Sequence, residues 1–169
     1  MRPEVLSAMD GAANAFVDIK KLNRTAGEVV ALACGAEQGL VTAGCSAAQV
    51  LMVAACMTGQ SESNVEQLPD TTGMKNEVVL FKGQRNRYDK AFVTAGAKLV
   101  TYGSEHEGTA DELEAAINEN TACVAFVIMP FALHGVGLEE TIRVAHERGV
   151  PVIVDAAAEL PPRANLSKF

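Results

Sequence analysis

A chain of 169 residues, 49% hydrophobic and 21% charged, holds enough apolar side chains for a packed core and is excluded from the disordered class. Its net charge of -7, with no long Lys/Arg run, argues against a nucleic-acid surface. No apolar stretch reaches bilayer-spanning length, and the first sixteen residues lack a signal-peptide core, so no membrane partner is expected. The four cysteines, Cys34, Cys45, Cys56 and Cys123, form no CxxC pair. Neither a metal site nor a disulfide framework is therefore expected, and a cytoplasmic setting is the simplest reading. Aromatic residues are only 5%, with no Trp, so the core must be Ala, Val, Leu, Ile and Met, as in a sheet covered by helices.

Pro3 suits a first helical turn, and Leu6, Met9, Ala13, Phe16 and Val17 recur at helical spacing. A second helix is predicted over about residues 20–34, with Leu22, Ala26, Val29, Val30 and Ala33 on one face and Gly35 as its stop. Gly39–Thr42 reads as a short strand and Gly44-Cys45-Ser46 as a turn. Residues 46–57 read as an Ala-rich helix without charge, which predicts burial. Residues 58–76 carry no period, and a loop of that length is functional or disordered as a rule. Glu77–Phe81 reads as a strand, followed by KGQRNRYDK and a helix to about Ala95. Lys98–Tyr102 is a strand, 109–118 a helix begun near Gly108 or Thr109, and Cys123–Met129 a strongly apolar strand. A helix from Gly137 or Leu138 to Arg148 leads through Gly149 to a last strand, Val150–Val154.

This alternation predicts an α/β fold with a mostly parallel sheet flanked by helices. The most apolar strands, 123–129 and 150–154, are expected at its centre. Residues 1–38 are expected to form leading helices that pack against a partner subunit or against further chain, with the α/β domain occupying 39–169.

Three motifs carry candidate chemistry. Asp155 ends an apolar strand and is followed by Ala156-Ala157-Ala158, and ligands of α/β proteins bind at the carboxyl ends of strands. The carboxylate is suited to a protonated ring nitrogen, with Ala157 against the ring face; a helix cap or a structural Asp is the alternative. The strand-turn-helix segment around Gly44, Cys45 and Ser46 presents free N–H groups to an anion, with the Ser46 hydroxyl assisting, unless Ser46 is an ordinary N-cap. Lys82-Gly83-Gln84-Arg85-Asn86 lies just past a strand end, within a basic cluster of Lys82, Arg85, Arg87 and Lys90. It would bind a carboxylate or phosphate, or else form a solvated loop. His134 follows a strand end and is a candidate ligand contact. The Gly135-Val136-Gly137 beside it has Glu140 at the third glycine position of a dinucleotide fingerprint. Cys45, at a helix start, is a candidate for a lowered pKa, but no base accompanies it and it is not read as a nucleophile.

Five strings, LPDTTGMKNEVV (68–79), KGQRNRYD (82–89), AGAKLV (95–100), NENTACV (118–124) and GVPVIVDAAAELPP (149–162), resemble the selenocysteine-synthase-like group of pyridoxal-phosphate enzymes. The first and last are most similar to the branch that includes D-glucosaminate-6-phosphate ammonia-lyase. The resemblance implies fold type I, with part of the seven-stranded large domain present. It implies pyridoxal 5'-phosphate as cofactor, with its phosphate on Gly44, Cys45 and Ser46. Asp155 is then the catalytic partner of the pyridine nitrogen, with Ala157 on the ring. Gln84 stands where relatives often carry a His, and Arg85 and His134 are assigned to a small anionic amino-acid-like substrate. It further implies a homo-oligomer. The family's Ser-Gly-Gly-Lys-type segment, whose lysine attaches the cofactor, lies beyond the Asp motif and is not met before Phe169. The expectation is therefore the first part of a large domain, inactive by itself.

The implied reaction eliminates ammonia, through loss of the β-hydroxyl as water, from an amino-sugar acid phosphate. Three alternatives stand beside it: selenium transfer on seryl-tRNA, a truncated domain that binds cofactor or ligand without chemistry, and a generic nucleotide-binding α/β domain. The charge of -7 counts against the first, and the incomplete glycine fingerprint counts against the last.

Overall fold

The computed structural model describes residues 1–129 and 134–168. The chain divides into two compact units, residues 42–162 and residues 1–41 together with the segment from Arg163.

The smaller unit holds α1 (Pro3–Ala13) and α2 (Ile19–Cys34). Asp18 caps α2 by accepting from the Lys21 N–H at 3.1 Å, and Gly35 closes it at φ 69°. The buried positions of α2 are Gly27 and Ala31, whereas Leu22, Val29 and Val30 of the expected apolar face are exposed. The reason is Gly39, whose backbone lies on α2 so closely that a Cβ there would fall 2.5 Å from the Gly27 carbonyl oxygen. That contact selects the glycine-containing face. It also corrects the strand expected at Gly39–Thr42: the segment is irregular, lies against a helix and joins no sheet.

The larger unit begins with α3 (Cys45–Thr58) and a short α4 (Glu62–Gln67), capped by Ser61. The parallel strands are β1 (Glu77–Phe81), β2 (Lys98–Tyr102), β3 (Thr121–Val127) and β4 (Val152–Asp155), in the order β2-β1-β3-β4. The connecting helices are α5 (Lys90–Thr94), α6 (Ala110–Ala116) and α7 (Leu138–Glu147). Side chains alternate across a strand, and the two cores follow that rule. Val78 and Leu80 of β1 pack with Val53 and Met57 of α3 and Phe92 of α5. Val79 and Phe81 face the other way, onto Leu113 of α6 and Val144 and Ala145 of α7. The result is three layers, helix, sheet, helix.

The pair expected at the centre is half right. β3 is central, but its partner there is β1, whose Val78, Val79 and Leu80 are fully buried, while β4 borders only β3 among the described residues. The unpatterned stretch 58–76 is ordered by polar contacts. Asp70 accepts from the Thr72 N–H at 2.9 Å, Asn76 Nδ2 donates to Thr71 Oγ1 at 2.8 Å, and Thr71 Oγ1 donates to the Gly96 carbonyl at 3.2 Å. These bonds fasten the loop at the amino-terminal edge of the sheet, where β1 and β2 begin. No described helix is long and apolar enough to cross a membrane.

Candidate functional site

Parallel strands bring their carboxyl ends to one edge, so Phe81, Tyr102, Val127 and Asp155 end together. Asp155 pairs in register with Val127 and is held by three donors. Its Oδ1 accepts from Cys45 Sγ at 3.3 Å and from the Ala157 N–H at 3.0 Å. Its Oδ2 accepts from Gln49 Nε2 at 2.5 Å. Two of these donors lie four residues apart on α3, hence one turn apart on one face. The α3 packing face and the strand-end carboxylate therefore build the site together.

Gln49 was not among the residues singled out from the sequence. It is 2% exposed, and its Oε1 is buried with no hydrogen-bond partner among the described residues. The available signal was its position: a polar side chain four residues after Cys45 on a helix otherwise free of charge. A buried amide in such a helix needs a polar partner, and Asp155 is that partner.

The N-cap of α3 is Gly44, not Ser46, because Gly44 alone holds the extended left-handed conformation, φ 124° and ψ 174°, that turns the chain into the helix. That region is essentially reserved for glycine. Thr42 Oγ1 donates to the Gly44 carbonyl at 2.9 Å, and the first intrahelical bond is from the Ala48 N–H to the same oxygen, at 3.1 Å. The N–H groups of Cys45, Ser46 and Ala47 precede that bond, and no acidic residue occupies the first turn. Ser46 is exposed beside a hollow of about 310 Å³ that Arg87 and Lys90 also line.

Cys45 departs from the expectation of a lowered pKa. Partial burial, the hydrogen bond to Asp155 and the Asp155 charge together push its thiol up to about 11. Burial is the largest cause, the Asp155 contact adds to it, and the thiol serves as a proton donor to Asp155.

The other predicted residues lie elsewhere on the same edge. Gln84 is buried, and its Oε1 accepts from the Val127 N–H at 3.1 Å, which ties the loop after β1 to the end of β3. Arg85 points outward, pairs with the buried Asp89, and borders a cavity of about 570 Å³ with Lys82, Thr101, Glu105 and His106. His134 is exposed, and its carbonyl accepts from the Gly108 N–H at 3.3 Å, beside the loop after β2. The structure thus gathers Gly44, Cys45, Ser46, Asp155 and Ala157 at α3 and β4, and places Arg85 in a second group at β1 and β2. No cluster of three or more metal-ligating side chains occurs among the described residues.

No family model matches the chain. Among curated proteins it is 37% identical over 163 residues to D-glucosaminate-6-phosphate ammonia lyase of Salmonella typhimurium (strain 14028s / SGSC 2262), covering 93% of this chain and 44% of that protein. It is 36% identical over 163 residues to 5'-C-glycyluridine monooxygenase-decarboxylase of Streptomyces sp, covering 92% and 41%. A solved structure of D-glucosaminate-6-phosphate ammonia-lyase superposes with TM-score 0.91 at 35% identity, over 99% of this chain and 46% of that one. Alanine aminotransferase from Pyrococcus furiosus superposes with TM-score 0.60 at 19% identity, over 92% and 39%, a likeness of fold alone. The chain spans less than half the length of these relatives. Its fold is the one expected, the α/β architecture of the fold-type-I pyridoxal-phosphate enzymes, and over nearly its whole length it is similar to D-glucosaminate-6-phosphate ammonia-lyase.

Proposed function

We propose that this chain is the cofactor-binding part of a pyridoxal-phosphate-dependent lyase. Its reaction would remove ammonia, through loss of the β-hydroxyl as water, from an amino-sugar acid phosphate such as D-glucosaminate 6-phosphate, leaving a 2-keto acid. The observation that carries the reading is Asp155 facing the first turn of α3, within a chain 37% identical to the ammonia lyase.

The residues fit the cofactor. An ionised carboxylate offers about four acceptor positions, and three donors occupy those of Asp155, leaving one at Oδ2 for a ring N–H. Gly44 lets the backbone approach a phosphate, and the N–H groups of Cys45, Ser46 and Ala47 with the helix dipole would hold it. Arg87 and Lys90, beside Ser46, add positive charge. When bound, the cofactor supplies a sink for the electrons released at the substrate α-carbon. Asp155 would hold the proton on the ring nitrogen. Cys45 and Gln49, as donors, would keep that carboxylate oriented. Ala157 would leave room for the ring, and Gln84 would fix the loop that carries Arg85. The reading includes a selenocysteine-synthase-like ancestry, a homo-oligomer and a cytoplasmic setting.

The second similar relative supports the substrate class. The two names, a glucosaminate phosphate and a glycyluridine, share an α-amino acid joined to a sugar-derived chain. Such a group is the common denominator of the proposed substrate.

The test is titration of the chain with pyridoxal phosphate, followed by absorbance and by the amide resonances of Gly44–Ala47. Asp155→Asn is expected to weaken binding about tenfold or more, the loss of one charge-assisted hydrogen bond. Ammonia release from D-glucosaminate 6-phosphate, measured on the protein that carries this chain, reads the reaction. Equal affinity in wild type and Asp155→Asn would sink the reading.

A further inference from the structure

Beyond the cofactor cluster, the carboxyl edge of the sheet holds a second group of polar side chains. Lys82 and Arg85 follow β1, Thr101 lies near the end of β2, and Glu105 and His106 come from the loop after it. Together with Gly83 they border the cavity of about 570 Å³. We propose that this cavity is a phosphate-ester subsite, which holds the phosphorylated end of the sugar-acid substrate while the amino-acid end lies at the proposed cofactor site beside Asp155. The inference rests on the proposed lyase reading for the identity of the substrate.

Three observations support it. First, the basic groups are available. The side chains of Lys82 and Arg85 are 49% and 46% exposed, Lys82 reaches Glu105 only at 4.0 Å, and Arg85 engages Asp89 through Nε, which leaves its two terminal nitrogens. A guanidinium fork, an ammonium and an imidazole around one hollow suit a phosphate, with the Thr101 hydroxyl as a further donor. Second, the cavity is built by close backbone packing. A Cβ at Gly83 would fall 2.5 Å from the Phe81 ring and 2.7 Å from the Glu105 carbonyl oxygen, so the two loops that carry the basic groups are pressed together by a glycine. Gln84 anchors the same loop through the Val127 N–H. Third, the span matches. β1, whose following loop carries Lys82 and Arg85, is two strands from β4, about 10 Å at the usual spacing, and the cavity extends from there to β2. An extended six-carbon acid phosphate, at about 1.3 Å advance per bond, spans about 9 Å from carboxylate to phosphorus.

Glu105 is the exception in the cavity. Its side chain is 72% exposed and opposes an anion, so it lowers affinity and favours release. This gives a test in both directions. The chain is titrated with 6-phosphogluconate, which keeps the phosphate end and lacks the amine, and with gluconate, which lacks the phosphate. Amide resonances are followed by site, with pyridoxal phosphate titrated separately. Saturable shifts at Gly83, Thr101, Glu105 and His106 with 6-phosphogluconate and none with gluconate are expected. Lys82→Ala should weaken binding about tenfold, and Glu105→Gln should strengthen it about threefold. Neither side chain holds a buried partner, so both variants should fold.

Shifts confined to Gly44–Ala47, equal response to gluconate, or affinity unchanged in both variants would overturn the subsite. Pyridoxal phosphate failing to shift Gly44–Ala47, while 6-phosphogluconate shifts the second cavity, would remove the cofactor reading and keep a phosphate-ester site. The reverse pattern would keep the cofactor and remove the subsite.

Discussion

Gln49→Glu tests the central contact of the candidate site. The substitution preserves shape and replaces a donor by a carboxylate, 2.5 Å from Asp155 Oδ2, at a position only 2% exposed. Two carboxylates at that separation cannot both ionise, so the pair must keep one proton at pH 7. Holding a carboxyl protonated at pH 7 against an unfolded pKa of about 4.3 costs about 1.4 kcal/mol per unit, or about 4 kcal/mol in all. The sign follows from linkage. Between about pH 4 and pH 7 the folded variant binds a proton that the unfolded chain releases, so its stability falls as pH rises. Below about pH 4 both states are protonated, the new O–H replaces the lost amide donor, and the penalty vanishes. The control is Gln49→Leu, which loses a hydrogen bond to a charged group worth about 1.5–3 kcal/mol but also removes a buried, unpartnered carbonyl costing about 1–3 kcal/mol. Its net effect on stability should be small and independent of pH. Urea midpoints of the three proteins, measured from pH 4 to pH 7.5, make the comparison. An offset between Gln49→Glu and wild type that is the same at both ends would show that these side chains do not meet.

Three further outcomes follow from the same geometry. Because Asp155 helps to push the Cys45 thiol up to about 11, Cys45 should alkylate slowly at pH 8 despite its exposure, and Asp155→Asn should speed that reaction, as peptide mass spectrometry would read. Only part of the barrier should disappear, since partial burial is the largest cause, and an unchanged or slower rate would contradict the contact. The raised thiol pKa also means that the folded state keeps a proton the unfolded chain gives up above pH 9, so this contribution to stability declines from pH 9 towards pH 11. Gly44→Ala meets no atom within 4 Å but must adopt φ 124°, so it should cost about 1–3 kcal/mol through backbone strain alone, visible as a lowered urea midpoint. A midpoint equal to wild type would mean that α3 starts in another way.

The central strands β1 and β3 were legible because they are buried on both faces. Glu77–Phe81 and Lys98–Tyr102 stand where the apolar runs placed them, and α6 starts next to the expected Thr109, which caps it in a reciprocal pair with Glu112. The errors have two physical sources. Apolar content does not report strand order: β4 was expected to share the centre with β3, but among the described residues the strand beside β3 at the centre is β1. Helical periodicity does not weigh close approach of backbones, so the exposed Leu22 and Val29 were placed on the buried face of α2 and Gly27 was missed. The site divides in the same way. Asp155 was singled out because it ends an apolar strand at the carboxyl edge of the sheet, with a helix cap or a structural Asp as the alternative. Gln49 was not, since only the fold shows that α3 turns one face to β4.

The two most specific strings of the resemblance end up at opposite edges of the sheet, and this separates ancestry from chemistry. LPDTTGMKN lies at the amino edge, where Thr71 and Asn76 bond each other and Thr71 reaches the Gly96 carbonyl. A Cβ at Gly96 would fall 2.3 Å from the Pro69 carbonyl oxygen, so the string is fitted to one glycine in the turn before β2. Its specificity is that of a scaffold joint, with no titratable group near Asp155. VDAAAELPP lies at the carboxyl edge and supplies the acceptor itself. Parallel pairing of β1 with β2 and β3 is what places Lys82 and Arg85 at the same edge as Asp155. Substitutions that loosen Thr71 or Gly96 should therefore lower stability while leaving the Asp155 contacts intact. Substitutions at Gln49 should instead alter the Asp155 contacts themselves, and a Thr71→Val protein that lost cofactor affinity without losing stability would break this division.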